Sequence, residues 1–164
     1  AWSPLWVLSM IAYLALCWFV MMVVHELGHV MGAWFTGGVV ERVVLHPLAI
    51  SRTDLSVNPH PLPVAWCGPF FGCGLPILIW LIARRFVAKV AHLARFFAGF
   101  CCVANGAYLG VGSFESVGDA GDLLKHQCPI GYLWLFGLVL VPVGFALWNG
   151  LGPSFGIIRS DVDD

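Results

Sequence analysis

The chain has 164 residues, of which 60% are hydrophobic and only 10% charged, with a formal net charge of -1. Soluble domains carry roughly a quarter of their residues as charged groups, so this composition excludes an ordinary soluble enzyme and predicts a membrane protein. The length fits one unit, residues 1–164, and the lack of a basic block gives no footing for nucleic acid.

About 20 apolar residues are needed to cross the hydrocarbon core, and four stretches qualify. The first runs from about Leu5 to Trp34 and stops at Gly37-Gly38. It has no basic start and leads directly into a His/Glu cluster, so it is expected to be a retained span rather than a cleaved signal peptide. Between it and the next span, Val39 to Leu45 and Ile50 to Val57 are rich in β-branched residues and separated by Pro47. They predict two short strands, a β-hairpin beside the end of the first helix.

The second span runs from about Pro63 to Ala83, interrupted by Gly68-Pro69, Gly72, Gly74 and Pro76. The third runs from about Phe96 to Phe114, interrupted by Asn105-Gly106, and the fourth from about Ile130 to Leu147. Breaks of this kind are expected where helices approach closely or line a cavity. The predicted fold class is therefore an all-α polytopic membrane protein of about four transmembrane helices with a short β-hairpin between the first and second. Trp2, Trp6, Trp34, Trp66, Trp134 and Trp148 fall near span ends, as interfacial anchors do. The six cysteines show no CxxC spacing and read as small packing residues.

Four crossings put the hairpin and the segment Glu115 to Gln127 on one side, and the segment Arg84 to Arg95 with both termini on the other. His25-Glu26-Leu27-Gly28-His29 lies on the hairpin side. Histidines four apart project from one helix face and can bind one ion. Glu26, rotated by about 100°, reaches a water at the metal without being a ligand. It is the only formally charged residue among the first forty, and a buried ionisable group in a span reads as functional. Haem does not suit the pair, because residues at i and i+4 cannot take opposite axial positions on one iron.

A hydrolytic zinc takes three protein ligands, and Asp119 or Asp122, on the same side as the histidines, supplies the third. Helix capping would account for one of these aspartates and leave the other. His126, His46 and His60 are weaker candidates, and His92 belongs to the opposite side. Asn105 is a candidate to stabilise an oxyanion through its amide.

The sequence resembles the site-2 proteases, intramembrane zinc metallopeptidases. The match rests on His25-Glu26-Leu27-Gly28-His29 at the end of an early span, a short β segment, Gly68-Pro69 opening the next span and an Asp motif after a later one. It covers about Leu5 to Leu124. The family's Leu-Asp-Gly motif, laid over Gly118-Asp119-Ala120-Gly121, implies Asp119 rather than Asp122 as third ligand. Ala120 departs from that pattern, as does Asn58-Pro59, which lies in a different loop from the family's Asn-Pro. No segment is long enough for a PDZ domain, so a minimal core is expected.

The resemblance implies zinc held by His25, His29 and Asp119, with Glu26 as general base and then acid, cutting a transmembrane protein or peptide substrate. It implies a multi-pass protein of a bacterial-type cell membrane with its site toward the cytoplasm. Arg84, Arg85, Lys89 and Arg95 on the far side, against Arg42, Arg52 and Lys125, favour the extracytoplasmic face instead. A substrate helix must unwind before attack, and the Val39 to Leu45 strand is expected to hold it by edge pairing. The alternatives are a protease-like structural or regulatory subunit of a membrane complex that cleaves nothing, and a metal or proton transporter, which the lack of repeated spans disfavours.

Overall fold

A computed structural model describes residues 3–46, 48 and 50–157. The Pro47 break and the Trp2 anchor lie outside the described residues. The described residues are mostly helical, and four helices among them are long and apolar enough to cross a membrane.

Helix α1 (Pro4–Thr36) begins where the Ser3 hydroxyl accepts from the Trp6 amide and Pro4 occupies the first turn, a position where its missing N–H costs nothing. It ends at Gly37 with φ of 76°, the left-handed cap that glycine adopts without steric penalty. Strands β1 (Val39–Val44) and β2 (Arg52–Val57) then form an antiparallel hairpin. Arg42 pairs with Asp54 and Val43 with Thr53, while irregularities between Val39 and Arg42 leave Glu41 as an extra residue. That bulge interrupts the in-and-out alternation of side chains along β1.

Helix α2 (Pro61–Phe86) runs unbroken through Pro69 and Pro76, where the sequence predicts interruptions. Each proline removes one ladder hydrogen bond and crowds the carbonyl four residues back. Both are buried, and packed helices can absorb such a defect. The expected close approach is present: a Cβ on Gly28 would collide with the Cys67 carbonyl, and one on Gly32 with the Cys67 side chain. Small residues thus bring α1 and α2 together without a large side chain between them.

Helix α3 (Ala91–Glu115) likewise continues through Asn105-Gly106 and packs along α5 (Ile130–Trp148). Gly110 faces Gly137 and Gly99 faces Gly144 in that seam. The short helix α4 (Gly118–Lys125) inserts Ala120 and Leu123 into a core that includes Leu109, Leu133 and Phe136. All six cysteines are free thiols, five of them buried.

The hairpin and α4 meet at one end of the bundle. At the other, the Tyr13 hydroxyl donates to the Leu93 carbonyl and the Trp6 indole to the Phe155 carbonyl, while His92 lies edge-on to Phe155. This is the two-ended arrangement that four crossings predict.

Candidate metal centre

The last turns of α1 carry His25, Glu26 and His29, all at most 7% exposed. The two imidazoles project from one face with their Nε2 atoms 3.1 Å apart. Asp119, in the first turn of α4, places Oδ2 2.7 Å from His25 Nε2 and Oδ1 3.3 Å from His29 Nε2. The Tyr108 hydroxyl of α3 positions this turn by accepting from the Asp119 amide at 3.2 Å.

The outer nitrogens settle which way the imidazoles present their lone pairs. His29 Nδ1 lies 2.9 Å from the Val64 carbonyl, which can only accept, so Nδ1 carries the proton. Asn105 Nδ2 donates to the Cys101 carbonyl at 2.9 Å, which turns Oδ1 toward His25 Nδ1 at 2.6 Å. His25 Nδ1 is therefore a donor too. In its neutral form each imidazole then presents a lone pair at Nε2, and both Nε2 atoms face the Asp119 carboxylate.

Such a convergence of electron pairs is unfavourable without positive charge among them. The ligand atoms of His25, His29 and Asp119 all lie within 4.8 Å of one another. Zinc bonds of about 2.0–2.1 Å in a tetrahedron separate neighbouring ligand atoms by roughly 3.3 Å, close to the spacings here. The donor set of two imidazoles and one carboxylate, with the outer nitrogens hydrogen-bonded, fits a zinc ion.

Glu26 stands apart from this trio. Its Oε2 accepts from the Thr53 hydroxyl of β2 at 2.6 Å. Two cavities flank it. One, of about 610 Å³, is lined by β2 from Arg52 to Leu55 and by Asp119, Asp122 and His126. The other, of about 510 Å³, opens between α1 and α3 and has mostly apolar walls. No residue of β1 lines either cavity.

The structure thus brings His25, His29, Glu26 and Asp119 together and leaves Asp122 out of the ligand group. Asp122 is exposed and only borders the larger cavity, because it sits three residues on in α4, turned toward the opening. His126 borders it too. His46 Nδ1 accepts from the Leu48 amide in the hairpin loop, and His60 precedes α2.

Asn105 has a different place from the one the sequence suggests. Its Oδ1 is taken by His25 Nδ1 and its Nδ2 donates to the Cys101 carbonyl, so its observed role is to orient a histidine. The room for these groups comes from α2, where a Cβ on Gly68 would overlap the His29 ring and one on Gly72 the Asn105 side chain. Thr53 and Tyr108 were not legible as site residues. Tyr108 follows Asn105 by three positions on one face of an apolar helix, and that polar pair was the available signal.

Compared with known proteins, the chain matches no family model, no curated protein and no solved structure.

Proposed function

We propose that this chain is a multi-pass, intramembrane zinc metalloprotease of the site-2 protease type, cutting membrane-protein substrates. The observation that carries the reading is the convergence of His25 Nε2, His29 Nε2 and the Asp119 carboxylate beside a separate, buried carboxylate, Glu26. Four long apolar helices support the membrane setting, as do exposed apolar side chains along α1 and α5 such as Leu8, Ile11, Leu135 and Leu138.

His25, His29 and Asp119 would hold the ion, which when bound would supply Lewis-acid polarisation and acidify water. Glu26 takes the proton of the attacking water and delivers it to the leaving amine. Asn105 and the Val64 carbonyl keep the two imidazoles in the tautomer that binds, and Thr53 steadies the Glu26 carboxylate. An unwound substrate lies along β2, whose residues line the larger cavity, and not along β1. Among the described residues β2 pairs only with β1, which leaves its other edge for a peptide strand.

The test is cleavage of a panel of single-span substrates by purified wild type and Glu26→Gln, with zinc assayed in both. Cleavage lost and zinc retained is the expected result. Zinc in both proteins with cleavage in neither would favour a non-proteolytic subunit of a membrane complex. Absence of zinc from both would overturn the reading.

A further inference from the structure

The cavity between α1 and α3 has an uneven character. Its lining is largely apolar, with Trp18, Met21 and Met22 of α1, Ala104 of α3 and Ile50 of the hairpin loop, and its polar groups include His25, Glu26, Asn105 and Tyr108. At about 510 Å³ it falls within the range of about 300–1,000 Å³ found for ligand pockets, which are likewise apolar with a few convergent polar groups. Methionine walls adapt to irregular apolar shapes. The cavity on the other side of Glu26 is more polar, with Arg52, Asp54, Asn58 and Asp122 around it beside Leu55 and Val64.

We infer that the apolar cavity is a specificity pocket for one large apolar side chain of the substrate, flanking the bond to be cut. This rests on the proteolytic reading and names the substrate class within it. Successive side chains of an extended peptide point to opposite faces. A peptide with its carbonyl at the His25, Glu26 and Asp119 groups therefore directs one flanking side chain to the apolar cavity and its neighbour to the polar one. The preferred sequence has a Leu, Met or Phe on one side of the bond and a small or polar residue on the other. The occupant is a peptide side chain and not a lipid tail, because His25 and Glu26, the groups that would act on the peptide, form part of the lining.

The experiment uses the full chain in vesicles and a set of single-span peptides, each with one photo-leucine stepped through the span. Irradiation and mass spectrometry map the adducts. Adducts on Met21, Met22 or Ala104, concentrated at one peptide position, are expected. Peptides with Leu at that position should be cleaved at least about 10-fold faster than those with Gly, the order of discrimination an apolar pocket provides. Ala104→Phe should reduce that ratio about 10-fold, and Met21→Ala should extend the preference to Trp, with circular dichroism confirming that both variants fold. Adducts confined to lipid or scattered along α5, or a ratio unmoved in both folded variants, would overturn the pocket. A wild type that cleaves no peptide would overturn proteolysis, while the adduct map would still decide the pocket.

Discussion

The Thr53 hydroxyl donates a 2.6 Å hydrogen bond to the Glu26 carboxylate, joining the hairpin to the helix that carries both histidines. A hydrogen bond to a charged group contributes about 1.5–3 kcal/mol, equivalent to roughly 10- to 100-fold in rate. Thr53→Val removes the donor at nearly constant shape. It should lower kcat by that factor with zinc retained, and Thr53→Ser should recover most of it. Equal cleavage by the valine variant would show that Glu26 is held by other means.

On the proposed reading, Asn105 acts on the ion through His25. Replacing it with Leu removes the acceptor for the Nδ1 proton, and loss of such an orienting partner typically weakens metal binding about 10- to 100-fold. Competition with a calibrated chelator should show this loss in Asn105→Leu, with a smaller one in Asn105→Asp, which keeps an acceptor. Unchanged affinity in both would remove Asn105 from the site.

Gly68 makes room for the His29 ring, so Gly68→Ala should displace that imidazole. Overpacking costs about 1–3 kcal/mol. The zinc content of purified Gly68→Ala should fall, together with its thermal midpoint, whereas Gly74→Ala should change neither, since nothing lies within 4 Å of a Cβ there.

The hairpin has its own pH response. A hydrogen bond from Arg42, with Arg52 adding to it, holds the Asp54 carboxyl below the ordinary carboxylate range. A depressed folded value means the contribution is present above the unfolded pKa of about 4 and disappears as pH falls through the folded one. Hydrogen exchange of the β1 and β2 amides, corrected for intrinsic rates, should accelerate over that acidic interval. Asp54→Asn should abolish the pH dependence, and salt should weaken it.

Much of this architecture is legible because hydropathy and a charged cluster in an apolar run are local signals. The four long helices, the hairpin and the side on which Asp119 falls all follow from span lengths and parity. Pro69 and Pro76 mislead because the sequence carries the cost of a proline but not the neighbours that absorb it. The choice between Asp119 and Asp122 depends on which way α4 is rotated, which the Leu123 and Ala120 contacts decide. Thr53 was out of reach for a plainer reason. Nothing in a short polar strand says that one hydroxyl will meet a carboxylate 27 positions earlier.

The tie between Trp6 and Phe155, and that between Tyr13 and Leu93, collect both ends of the described chain and the α2–α3 turn at the pole opposite the hairpin. Once four helices cross a bilayer, the topology of the whole molecule reduces to a single binary unknown. Five of the six native thiols are buried and Cys67 is half-buried, so with Cys67 replaced, an impermeant thiol reagent acting on a cysteine introduced at Lys89 would report which compartment that pole faces. The compartment of the candidate metal centre follows as its complement.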